Sequence, residues 1–67
     1  MNNQERISVG IGTAADLVDL SETAIRKAVN DPDPERRLRT VWYGGRRLIK
    51  YEDLRTWFER VIRANEG

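Results

Sequence analysis

Ile7, Val9 and Ile11 alternate with Ser8 and Gly10, the period-two pattern of a short strand. Gly12 breaks the pattern. Thr13 follows as a hydroxyl N-cap with Asp16 three residues on, a capping-box variant that sets an acid near the positive helix end. A brief helix is therefore expected from Ala14 to Val18, with Ala14, Leu17 and Val18 sharing one buried face at i, i+3, i+4. Asp19-Leu20 makes the next break and Ser21 a second N-cap. The helix after it is expected over Glu22–Asn30. Its apolar set is Ile25, Ala28 and Val29, and its outer face carries Glu22, Thr23, Arg26, Lys27 and Asn30.

Asp31-Pro32-Asp33-Pro34 ends that helix, because proline cannot donate to it and biases the residue before it toward extended geometry. Glu35-Arg36-Arg37 completes a polar loop. Leu38 to Tyr43 is rich in strand formers, Gly44-Gly45 supplies a turn that needs positive φ, and Arg46 to Lys50 returns antiparallel. From Tyr51 the period becomes helical. Leu54, Trp57, Phe58, Val61 and Ile62 form an apolar stripe, with Glu52 and Asp53 in the first turn and Arg60 and Arg63 near the last. That stripe reads as core. Residues 1–6 read as a disordered tail, residues 7–64 as one domain and residues 65–67 as a frayed end.

The chain has 67 residues, and a chain this small buries only about 60% of its unfolded surface, enough for one small core and little room for a cleft between layers. It contains no Cys and no His, which removes disulfides, zinc fingers, a thiol nucleophile and an imidazole base. No metal site and no cofactor are expected. No apolar run reaches the roughly 20 residues that span a bilayer, and Met1-Asn2-Asn3-Gln4-Glu5 lacks the features of a signal peptide. The expectation is a soluble intracellular protein that binds rather than transforms. Glu52 and Asp53 are adjacent carboxylates, but they face different directions from the start of a helix, so an enzyme is not expected.

The net charge of +1 conceals a segregation. Residues 26–50 hold eight basic and three acidic side chains, and the remainder four basic and eight acidic. Ten of the 12 cations are Arg, the side chain that forks onto phosphates and base edges. A basic middle between acidic ends suits a one-sided polyanion footprint, although a solvated salt-bridged surface gives the same composition.

Helix, turn, helix, β-hairpin, helix is the element order of a small winged helix-turn-helix, an α+β fold. A helix fits the major groove, where Thr23 and Lys27 would point together at base edges with Glu22, Arg26 and Asn30 beside them. Thr13 and Ser21 would hold phosphates or serve as caps alone, and Arg26, Arg36, Arg37 and Arg39 are further phosphate candidates. At the hairpin tip, Gly44 and Gly45 allow close approach, and Arg46 or Arg47 can enter the neighbouring minor groove. The two point to opposite faces of the ribbon, so Arg46, nearer the tip, is favoured, and Arg47 has the alternative of covering Trp42 or Tyr43. Trp42 and Tyr43 could stack bases as aromatics do on single-strand binders, but Trp42 is expected in the core.

The stretch Gly12 to Lys27, followed by Gly44-Gly45-Arg46-Arg47 and by Tyr51 to Phe58, resembles the MerR-like winged-helix domains of phage excisionases, over about residues 7–62. The resemblance implies that Ser21 caps the recognition helix and that Thr23 and Lys27 face the major groove. It implies also that Arg26 lies near the backbone and that the Gly45-Arg46 wing enters the minor groove. The Asp31–Pro34 loop is longer and more acidic than the family's usual connector, and the proline common at the start of the closing helix is absent. The implied function is that of a recombination directionality factor in the bacterial cytoplasm. It would bind phage attachment DNA, bend it and help a tyrosine integrase toward excision, with further copies bound alongside. Asp16, Asp19, Glu59 and Glu66 are candidate contacts between copies, and Arg55, Glu59 and Arg63 a candidate integrase surface. The alternatives are a small transcription regulator on a promoter and a protein-interaction module whose basic hairpin docks an acidic partner.

Overall fold

The computed structural model describes residues 7–66. The expected tail at residues 1–6, and Gly67, lie outside the described residues. The order is β1 (Ser8–Val9), α1 (Ile11–Val18), α2 (Glu22–Val29), β2 (Val41–Tyr43), β3 (Arg46–Lys50) and α3 (Tyr51–Asn65). Among the described residues the fold is a small α+β arrangement of three helices and one three-stranded antiparallel sheet, with β3 between β1 and β2. Among the described residues, no helix is long and apolar enough to cross a membrane.

The alternation at Ile7–Ile11 yields less strand than expected. Only Ser8 and Val9 pair, with Lys50 and Ile49, and Ile11 is already the first residue of α1. The cap is Gly10, in extended geometry, whose carbonyl accepts from the Ala14 amide at 2.9 Å. Glycine is an acceptable N-cap, and starting the helix there brings Ile11 against the core, which a start at Thr13 would not. Thr13 is therefore an interior residue of the first turn and not a cap. The buried face shifts with it. Ala14 and Ala15 are buried and Ile11 and Val18 pack beside them, whereas Leu17 is exposed.

Asp19 ends α1 in the left-handed region at φ 60°, with its amide on the Asp16 carbonyl and that of Leu20 on Ala15. This is the Schellman pattern, with Asp in the place glycine usually takes. Ser21 then caps α2 as expected, its hydroxyl accepting from the Ala24 amide at 3.1 Å. α2 closes at Val29, with Asn30 as its C-cap.

The prolyl loop is built rather than loose. The Asp31 carboxylate accepts from the Asp33 amide and that of Asp33 from Glu35, two successive Asx turns. Arg37 Nε donates to the Asp31 carbonyl at 2.8 Å, and Arg60 on α3 donates to the Glu35 carbonyl at 2.7 Å. Leu38 follows, fully buried, its amide on the Ala28 carbonyl, so the ladder begins at Val41 and not at Leu38.

The core is Val9, Ala14, Ala15, Ile25, Val29, Leu38, Ile49, Leu54 and Trp57. Every element except β2 contributes. β1 is only two residues long, so from Leu48 to the tip the sheet continues as a two-stranded ribbon. Trp42 rides on that ribbon and is 63% exposed, which corrects its expected place in the core. In α3, Leu54 and Trp57 are buried and Phe58 and Val61 half-buried, but Ile62 is exposed. The last turn of α3 adds no buried side chain to the core. That turn stays helical through Asn65, whose side-chain amide donates to the Val61 carbonyl.

Candidate nucleic-acid interface

α2 presents its outer face to solvent. Its register is set by Ile25 and Val29, which bury the opposite face, and by the Ser21 cap that fixes where the helix begins. Glu22, Thr23, Arg26, Lys27 and Asn30 are all exposed. Thr23 and Lys27 are four residues apart and so project together, with Arg26 and Asn30 on one flank.

These side chains are not equally available. Arg26 pairs with Glu22 at 3.5 Å, and Asn30 commits its Nδ2 to the Arg26 carbonyl at 3.0 Å. The Glu22 carboxylate also leans over α1, where Gly12 leaves room; a Cβ at Gly12 would lie 3.2 Å from Glu22 Oε2. Lys27 lies on the other flank and, with Arg36 and Arg60, rims a groove of about 320 Å³ between α2 and α3.

The hairpin turns at Gly44 and Gly45, at φ 59° and 77°, with Tyr43 facing Arg46 across the ladder. Positive φ at both central residues is the type I′ requirement, and it accounts for two consecutive glycines. The space around them is open, so the constraint is on the backbone alone. Arg46 and Arg47 diverge as alternation requires. Arg46 leans back toward the start of α1, its Nη2 3.9 Å from where a Cβ at Gly10 would sit. Arg47 lies over Trp42, its guanidinium carbon 4.8 Å from the ring centroid, which realises the alternative role read for it from the sequence.

Helix and hairpin meet at a cleft of about 290 Å³ lined by Ile11, Arg26, Val29, Asn30, Trp42 and Arg47. A broader hollow of about 680 Å³ continues past Trp42 and brings Arg37, Arg39, Arg47 and Lys50 to one concavity. Arg39 thus stands near the hairpin, while Arg37 is tied to the Asp31 and Pro32 carbonyls and Arg36 stands with Lys27 on the α3 side. Thr13 is half-buried within α1, and the Ser21 hydroxyl is engaged in capping. Lys50 joins the concavity near the hairpin without a role expected from the sequence, and Trp42 lines it from the surface instead of the core.

Among the described residues, no group of three His, Cys, Asp or Glu is placed to hold a metal ion. No family model matches the chain, and neither a curated protein nor a solved structure matches it.

Proposed function

We propose that the chain is a winged helix-turn-helix module that binds double-stranded DNA and does no chemistry, acting as a phage excisionase of the kind its sequence resembles. In this reading α2 enters the major groove with Thr23 and Lys27 toward base edges, and the exposed Arg46 side chain swings from the start of α1 past the Gly44-Gly45 tip into the adjoining minor groove. The supporting observation is the shared cleft of α2 and the hairpin. An exposed polar-basic helix face and an arginine-bearing ribbon stand side by side, joined by a wall that holds Arg26 and Arg47. Two neighbouring grooves of a duplex ask for such a pair of projections.

A module of this size covers about 600–1,000 Å² of interface, so copies side by side and a tyrosine integrase would supply the remaining affinity and the direction of recombination. The test is footprinting of the purified chain on a phage attachment region and on the promoters beside it. Protection of short, repeated sites between the attachment cores supports excision. Protection confined to a promoter would replace this role with transcriptional regulation, and no protection at all would remove DNA binding.

A further inference from the structure

The cleft between α2 and the hairpin carries a feature that neither groove-entering element requires. Trp42 is 63% exposed on the hairpin, and the Arg47 guanidinium carbon lies over its ring, 4.8 Å from the centroid. Arg26 stands on the facing wall. If α2 occupies one groove and the hairpin the next, the sugar–phosphate ridge between the two grooves has to cross this cleft. The inference rests on the DNA-binding reading given above.

We propose that Arg26, Trp42 and Arg47 form a clamp on one strand's backbone at that crossing, with Arg47 serving phosphate and not the minor groove. The cation–π contact with the indole anchors the Arg47 guanidinium while its N–H groups can still fork onto phosphate oxygens. Arg26 donates to the same ridge from the helix side, giving up its exposed pairing with Glu22. The open part of the indole lies against the deoxyribose, an apolar contact that ring and sugar can both make without losing a hydrogen bond. Arg39 and Lys50, in the adjoining hollow, lie where the next phosphates would run.

The test uses a labelled duplex recovered by selection on the full chain, and binding isotherms over a salt series for wild type, Arg47→Gln, Arg47→Lys and Trp42→Ala. Melts followed by circular dichroism check that each variant is folded. Arg47→Gln is expected to weaken binding about tenfold and to lower the slope of log K against log salt by about 1, equally on selected and scrambled duplexes. Arg47→Lys should restore the slope, and Trp42→Ala should weaken binding with the slope unchanged. An unchanged slope for folded Arg47→Gln, a loss confined to A·T-rich duplexes, or wild-type affinity in Trp42→Ala overturns the clamp while leaving DNA binding in place. Absence of salt-dependent duplex binding by the wild type would instead overturn the DNA reading and the clamp together.

Discussion

The Glu22 carboxylate sits 3.5 Å from the Arg26 guanidinium, one turn apart on the face of α2 that carries the candidate base contacts. It supports the positive start of the helix and at the same time occupies the cation that the proposed DNA contact would use. Glu22→Gln should therefore pull the two properties apart. Affinity for duplex DNA should rise about fivefold, equivalent to roughly 1 kcal/mol for one exposed charge removed, while stability falls by a few tenths of a kcal/mol. Anisotropy and urea melts read the two effects separately, and a loss of affinity would mean that Glu22 makes a favourable base contact of its own.

The hydroxyls of Ser21 and Thr13 differ in role despite similar sequence settings. Ser21→Ala should cost about 1 kcal/mol in a urea melt, because the Ala24 amide loses its acceptor. Thr13→Ala, inside the first turn of α1, should stay within about 0.5 kcal/mol. Equal losses at both positions would restore Thr13 as a cap.

The hairpin tip is constrained by backbone conformation. Gly45→Val places a β-branched residue at φ 77° and should cost about 1–3 kcal/mol, a large share of the roughly 3–10 kcal/mol expected for a chain this short. Gly44→Asn should be nearly neutral, since Asn is favoured at the first central position of a type I′ turn. Thermal melts followed by circular dichroism would show the ordering.

Lys27→Ala should cost on the order of 1–3 kcal/mol of binding and relax preference at one base position, if its ammonium donates to guanine N7 and O6. Competition with duplexes substituted one pair at a time gives the result. A uniform loss on every sequence would reassign Lys27 to phosphate.

The parts of the fold that could be read from the sequence were those fixed by local chemistry. Ser21 announces its helix through a side-chain hydrogen bond, the two prolines end it, and Gly44-Gly45 fixes the hairpin register through backbone conformation. The parts that could not be read depend on what lies opposite. Ile11 is β-branched and precedes a glycine, so its local preference is for the strand, yet it opens α1 and packs against the core. Trp42 has the sequence credentials of a core residue and is exposed because β2 contributes no side chain to the core. The exposed face of α2 follows directly from the positions of Ile25 and Val29, so the candidate interface was legible there. The contact of Arg47 with Trp42 follows from the hairpin register, whereas the place of Arg26 on the facing wall of their cleft is a tertiary fact without a local signal.

The most direct test of a helix and a hairpin acting together on adjacent grooves is an amide-resolved NMR titration of the labelled chain with a duplex two turns long. The account predicts that the largest shift changes fall on Ser21 to Asn30 and on Trp42 to Arg47 at the same stoichiometry, with the Arg55 and Glu59 side of α3 unmoved. Changes centred on that side of α3, or on α2 with the hairpin silent, would contradict it.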